Sequence, residues 1–379
     1  MRTAGKNYHG QPRYHELDAL RGIAALTVVL WHFVCTTYTI QDPGTKSFVM
    51  TLYFLAQGRA AVILFFMLSG FVLSLPFLRG RQPGYGNFVV RRIFRIYLPY
   101  VVLLTCTILV RTFVTVKKLP GLSDWFNDYC GDPFSLKTAL EHLFLIGNIN
   151  IMAYSNPVWS LIHEMRISLL FPLLFLFVRR TRPLFSIITC FLLTGVAILN
   201  EIYGWETSRG WQTGYFYTLH VTSLFIIGMV LARYKDAAVK WYVSLKKWKK
   251  ITLLIVSCIL YRFSMELWLA NAKLGLVWDY GTAIGACGFM VMALGSLKAA
   301  TLLEKPFFRF FGNISYSMYL NHITMLYLSF FLLYGKIPVP AILLIYLVLV
   351  VVFSSITWKT IERPSITLGR VWSDKLKKH

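Results

Sequence analysis

The chain has 379 residues, of which 56% are hydrophobic and 16% aromatic, and this is more apolar surface than a soluble domain of that length can bury. Lys and Arg together number 39 against 16 Asp and Glu, which gives a net charge of +23. Because the cations stand in short clusters between apolar runs, they indicate the cytoplasmic loops of a membrane protein contacting anionic lipid and argue against a nucleic-acid surface.

Apolar runs of about 18 residues or more, enough to cross a hydrocarbon layer of ~30 Å, recur along the whole chain. They lie near 18–38, 59–78, 88–112, 158–178, 184–201, 214–233, 251–269, 280–299, 310–334 and 340–358. We therefore predict an all-α polytopic membrane protein of about ten transmembrane helices. Residues 1–379 are expected to form a single integral-membrane domain, with 1–16 and 365–379 as cytoplasmic terminal segments.

A shorter and more polar run at 137–153 includes Glu141 and His142. The basic clusters all fall on the cytoplasmic side only if 137–153 does not cross the membrane. These clusters are the arginines after the second and fourth spans and the Lys-rich run at 233–250. We predict a re-entrant or interfacial helix near 137–153 and cytoplasmic termini. The six cysteines show no metal or disulfide spacing, so no metal is expected.

The first span, "LDALRGIAALTVVLWHF", carries Arg21 and His32. Eleven residues at about 100° each place both side chains on one helix face, ~16 Å apart along the axis. Arg21 is then at the cytoplasmic edge, and His32 lies beyond the midplane. Ionisable groups inside a span are costly and usually functional, although Arg21 also fits a snorkelling topological anchor and His32 a helix-packing histidine.

Three ionisable side chains on different spans fall at one predicted depth, because His32, Glu164 and His322 each lie about 18–21 Å from the inner face. An imidazole at the depth of a carboxylate is typical of a general base, and we assign that role to His32. Ser69, in "FFMLSGF", falls slightly nearer the middle of the membrane. The structural alternatives are a pair between Glu164 and Arg92, Arg166 or a histidine, and small-residue packing at Ser69.

The third span opens with "VVRRIFRIYLPY", which places Arg91, Arg92 and Arg95 within about one helical turn. Guanidinium groups grip phosphate in a bidentate manner, so this trio is a candidate polyphosphate site. The same residues also fit the positive-inside rule, and both roles can hold together.

Taken in order along the chain, the motifs resemble the acyltransferase family 3 of integral-membrane O-acyltransferases. The motifs are "LDALRGIAALTVVLWHF", "FFMLSGFVLS", "RRIFRIYLPY", "NPVWSLIHEMRISLLFPLLF", "ISYSMYLNH" and "TIERP". The resemblance implies an enzyme with ten spans that moves an acyl group, commonly acetyl, from cytosolic acyl-CoA to a hydroxyl of a glycan or lipid-linked sugar. It also implies a bacterial inner-membrane location and O-acetylation of a cell-envelope polysaccharide.

By that resemblance, Arg21 and His32 are essential, and the arginines at 91, 92 and 95 lie by the donor. It also implies a pocket lined by Trp159, Ser160, Glu164, Tyr316, Tyr319 and His322. The run "HEMRISLL" departs from the family pattern, because His163 and Arg166 are inserted and the usual aromatic pair is absent. This departure concerns the acceptor pocket more than the donor site.

The resulting hypothesis is an acyl-CoA-dependent membrane O-acyltransferase in which Arg21 and the 91–95 arginines hold the CoA phosphates. His32 either removes the acceptor proton or takes the acyl group transiently. Glu164 or His322 orients it or relays the proton. Ser69, which is expected to lie beside the donor, or Trp159 steadies the oxyanion. The partners are acyl-CoA, the sugar acceptor and membrane lipids.

Two alternatives from other classes remain at this point. The first is a transporter or flippase for a glycan or small solute, which ten helices and intramembrane charge also fit, although no inverted repeat is visible. The second is a structural or regulatory membrane protein. The acceptor is open among O-antigen, exopolysaccharide, peptidoglycan and a small metabolite.

Overall fold

A computed structural model describes residues 5–6, 12–80, 84–113, 118–131, 135–270 and 275–375. Two short strands, β1 (Gly5–Lys6) and β2 (Pro12–Arg13), pair in an antiparallel manner before the first helix. All other regular structure in the described ranges is helical. The α-helices are α1 (His15–Thr37), α2 (Pro43–Leu55), α3 (Gly58–Leu78), α4 (Tyr85–Arg92), α5 (Leu98–Phe113), α6 (Asp124–Gly131), α7 (Leu136–Leu143), α8 (Val158–Arg180), α9 (Pro183–Tyr203), α10 (Tyr215–Arg233), α11 (Lys235–Ser244), α12 (Lys247–Ala270), α13 (Gly275–Gly295), α14 (Leu297–Leu303), α15 (Pro306–Leu333), α16 (Val339–Thr357) and α17 (Arg363–Lys375).

Eight helical stretches of the described chain are long and apolar enough to cross a membrane, which confirms the prediction of an all-α polytopic membrane protein. They are His15–Thr37, Pro43–Leu78, Tyr85–Thr112, Val158–Arg180, Pro183–Tyr203, Tyr215–Arg233, Gly275–Gly295 and Val339–Lys375. The other two predicted spans are the long helices α12 (24 residues) and α15 (28 residues). In α15, polar residues such as Ser317, Asn321 and His322 are buried among other helices, so they do not face lipid.

The run at 137–153 is not a spanning helix. Helix α7 has eight residues, Leu136–Leu143, and is therefore only ~12 Å long. The remainder consists of turns and a three-residue 3₁₀ turn, Ile151–Ala153. The predicted helix is shorter than expected because Asn148 instead ties the chain to the 206–209 loop, donating to Glu206 and to the Thr207 carbonyl.

Two glycines bring α1 and α15 into backbone contact. A Cβ on Gly22 would lie 2.5 Å from the Gly312 nitrogen, and a Cβ on Gly312 would lie 2.7 Å from the Asp18 carbonyl oxygen. His32 and His322 each stand ten residues after these glycines along their own helices, and their side chains also contact each other. The two helices therefore run parallel. Helix α15 is the ninth of the ten predicted spans. A parallel ninth span requires that 137–153 does not cross, because each crossing reverses the chain direction.

We expect Gly22→Ala to destabilise the protein by about 1–3 kcal/mol, because the added methyl group overpacks a backbone contact that cannot move aside. The midpoint of thermal unfolding in detergent measures this effect. Gly195→Ala in α9 is the matched control, since a Cβ there meets nothing within 4 Å. Equal midpoints for the two variants would contradict the backbone contact between α1 and α15.

Helix α3 is fixed to its neighbours at two levels. In its middle, Gly70 packs against the carbonyl of Phe225 in α10, as expected for small-residue helix packing. Near its amino-terminal end, Arg59 donates to Asp279 of α13 through Nε at 2.8 Å and Nη2 at 2.6 Å. His220 of α10 also contacts Asp279, at 2.9 Å. This buried network holds α3, α10 and α13 in register.

Candidate active site

Two histidines from the parallel helices α1 and α15 form the centre of the candidate site. Nε2 of His322 lies 3.2 Å from Nδ1 of His32, and the ring centroids are 4.9 Å apart. His322 is fully buried, whereas His32 keeps some exposed surface. The structure therefore joins two residues that the sequence placed only at a common depth.

The hydrogen bonds of the pair assign the protons on both neutral rings. Nδ1 of His322 lies 2.8 Å from the Tyr319 carbonyl, and Nδ1 of His32 lies 2.9 Å from the Val28 carbonyl. Because a carbonyl oxygen can only accept, both Nδ1 atoms carry a proton. Nε2 of His322 is then an acceptor for His32, and the lone pair on Nε2 of His32 remains available for a substrate proton.

Polar and aromatic side chains surround the histidine pair. The Tyr319 ring lies 5.7 Å from His322, and its hydroxyl is 2.7 Å from Oγ of Ser160. The structure therefore brings Ser160 and Tyr319 to the pair. Trp159 points elsewhere, since its ring packs on Trp211 at 5.0 Å. Trp125 of α6 lies 5.4 Å from His32 with a ring tilt of 34°.

Glu164 binds Arg92, and in the described residues no hydrogen bond joins it to either histidine. Arg92 donates to Oε1 of Glu164 at 2.8 Å and to Ser168 at 3.1 Å, and the Ser69 hydroxyl donates to the same carboxylate oxygen at 3.4 Å. A common depth therefore did not produce contact between Glu164 and the histidines. The ion pair ties α4 to α8, which is the structural alternative for Glu164.

The three arginines of the third span take different partners. Arg92 holds Glu164, whereas Arg91 donates to Ser373 at 2.9 Å and Asp374 at 3.0 Å in α17. Arg95 is exposed and makes no hydrogen bond to any described residue. Arg95 lies in a five-residue π-helical turn, Ile93–Tyr97, whose extra residue shifts it from the position it would have in an α-helix.

A second π-helical turn, Trp358–Glu362, faces this region. Its last residue, Glu362, is buried and accepts a 2.7 Å hydrogen bond from Ser317. Arg95 and Arg21 both contribute to the electrostatic field at Glu362. Arg21 also pairs with Asp18 at 3.3 Å. Cationic groups from the first and third spans therefore gather around one buried carboxylate near the amino-terminal end of α1.

The π-helical geometry explains where Tyr316 lies. Its hydroxyl donates to the Ile96 carbonyl at 2.7 Å, and Ser365 donates to the Phe94 carbonyl. A π turn frees carbonyls that an α-helix would use internally. Tyr316 therefore lies at the arginine cluster and not at the histidine pair.

Sequence reasoning missed Trp125 and Glu362 as site residues. Glu362 stands inside the quoted run "TIERP", but no role was assigned to it. Trp125 stands in the connection between α5 and α8, in which no site residue was predicted from the sequence. Within the described ranges, no three His, Cys, Asp or Glu side chains are grouped as metal ligands.

The comparisons with known proteins give one match. The model of the acyltransferase family 3, described as an acyltransferase domain, matches residues 14–359. Neither the curated proteins nor the solved structures include a match to this chain. The matched range contains both histidines and the arginines at 21, 91, 92 and 95.

Proposed function

This chain belongs to the acyltransferase family 3, which its residues 14–359 match, and we propose that it moves an acyl group, acetyl in the first instance, from acyl-CoA to a sugar hydroxyl. Family membership establishes a membrane acyltransferase that uses an acyl donor and an acceptor. Acyl-CoA as the donor and a glycan or lipid-linked sugar as the acceptor are the proposal. The observation that supports this proposal is the histidine pair, in which Nε2 of His32 is an unprotonated base and Nε2 of His322 is a buried hydrogen-bond acceptor.

In the proposed reaction, the acceptor hydroxyl oxygen attacks the thioester carbonyl carbon while its proton passes to Nε2 of His32. The new C–O bond forms, the C–S bond breaks, and the departing CoA thiolate takes the proton from His32. Between these events His32 is an imidazolium whose Nδ1–H donates to His322 and to the Val28 carbonyl. The same lone pair also supports the alternative in which His32 first takes the acyl group.

The donor is proposed to enter beside Arg21 and Arg95. These two cations lie near the end of α1 that is ~16 Å from His32, which is about half of a 30 Å hydrocarbon layer. A pantetheine arm can cover that distance with the CoA phosphates at the arginines. Arg91 and Arg92 belong to the donor site only if the phosphates displace Asp374 and Glu164, and the exposed Arg91–Asp374 pair is the weaker of the two contacts.

The protein is proposed to lie in a bacterial inner membrane with both termini cytoplasmic. The support is the basic excess in the predicted inner loops, above all the run 233–250. The acceptor hydroxyl would then belong to a cell-envelope polysaccharide or its lipid-linked precursor. Trp159 has no assigned part in the transfer, because its ring packs away from the histidines.

The function is tested by acyl transfer in proteoliposomes that contain the purified protein. Acetyl-CoA should release free thiol only when a sugar acceptor is present, with a matching gain of ester-linked acetyl on the acceptor. Cells with and without the protein should differ in the ester content of their envelope glycans. Equal ester content in the two strains would contradict the proposed acceptor class.

Arg95→Gln is expected to raise the KM for acetyl-CoA by about 10- to 100-fold, because a charged hydrogen bond to phosphate contributes roughly 1.5–3 kcal/mol. Initial rates at varied donor concentration measure the change. Arg180→Gln is the matched control, since that exposed arginine ends α8 away from the cluster. An unchanged donor KM in Arg95→Gln would contradict phosphate binding at Arg95.

A further inference from the structure

The connection between α5 and α8 places an indole against the proposed catalytic imidazole. The Trp125 ring lies 5.4 Å from the His32 ring with only a 34° tilt, and Trp125 remains partly exposed. Part of the indole surface is therefore available beside the atom that would take the acceptor proton.

Trp125 is held rigidly at this position. The Ser123 hydroxyl donates to the Cys35 carbonyl at 2.6 Å, and its amide donates to the Thr36 carbonyl at 3.1 Å, so the loop is tied to the carboxyl-terminal turn of α1. The adjacent Phe126 ring is buried against Tyr327 and Phe330 at 5.2 and 5.6 Å. An aromatic platform fixed by hydrogen bonds and packing loses little entropy when a ligand stacks on it.

The platform and the arginine cluster lie toward opposite ends of α1. Arg21 is near the amino-terminal end, and Trp125 is held by the carboxyl-terminal turn beyond His32. A thioester that enters from the arginine side therefore meets the imidazole from one direction. The side of the imidazole toward Trp125 is then left for the second substrate.

We propose that Trp125 forms the acceptor subsite, in which a sugar ring stacks on the indole beside His32. This inference rests on the proposed function and deepens it by naming the residue that holds the acceptor. A pyranose ring has an apolar face that can pack on an indole, and its hydroxyl groups stand at the ring edge, where one of them can reach the imidazole.

The test measures the KM for a sugar acceptor and for acetyl-CoA separately in proteoliposomes. Trp125→Ala should raise the acceptor KM about tenfold, with the donor KM unchanged, and Trp125→Phe should restore most of the loss. Trp205→Ala is the matched control, because that exposed tryptophan stacks on Tyr203 at 5.7 Å, away from the pair. It should leave both KM values unchanged.

An unchanged acceptor KM in Trp125→Ala overturns the subsite. Wild-type protein that transfers no acyl group overturns the proposed function instead, so the two failures are distinguishable.

Discussion

Replacing His32 with alanine is expected to lower acyl transfer by about 10³-fold or more, while the protein still folds. The physical reason is that Nε2 of His32 is the one unprotonated nitrogen of the pair that makes no hydrogen bond to the described residues, and general base catalysis contributes roughly 10²–10⁴-fold. A covalent role for His32 would make the loss larger. Ester-linked product per unit time, normalised to folded protein in the membrane, measures the effect.

His142→Ala is the matched control for that experiment. Its Nδ1 lies 2.8 Å from the Thr138 carbonyl, which repeats the local geometry of His32. Burial lowers the pKa of His142, so it too is neutral. It lies in α7 outside the histidine pair. A His32→Ala protein that transfers acyl groups as fast as His142→Ala would show that the reaction does not use this imidazole.

Replacing His322 is expected to give a graded result that depends on whether the new side chain can accept a hydrogen bond. His322→Leu should lower kcat by about 10- to 100-fold, because the imidazolium formed at His32 loses one acceptor and a hydrogen bond to a charged group contributes roughly 1.5–3 kcal/mol. The loss should be smaller than for His32→Ala, because the Val28 carbonyl still selects the same His32 tautomer.

His322→Gln tests the cause of that loss, since the glutamine amide oxygen can accept from Nδ1 of His32 as Nε2 of His322 does. We expect it to recover most of the kcat lost in the leucine variant, with little change in the KM for either substrate. Equal kcat values for the leucine and glutamine variants would assign His322 to packing alone. Thermal unfolding midpoints for the two variants check that neither rate reflects a damaged fold.

The helical fold class and the positions of the long helices could be predicted from the sequence, because apolar runs must match the thickness of the hydrocarbon layer. The predicted spans are all helical in the described residues. The polar run at 137–153 was also correctly predicted, from the placement of the basic clusters, not to form a spanning helix. The two positions where helices turn into π geometry, at 93–97 and 358–362, have no signal in hydropathy.

Sequence by itself determined which costly side chains exist and how deep they lie, because depth follows from the fixed rise of a helix. Only the tertiary structure decided in which direction around its helix axis each of these side chains points and which residues it contacts. His32 and His322 meet because Gly22 and Gly312 let two parallel helices touch, whereas Glu164 at a similar depth is held by Arg92. Trp125 reaches His32 through a loop tied by hydrogen bonds to α1. Such pairings depend on how helices rotate and pack against one another. The hydrophobic periodicity of a single span does not predict this.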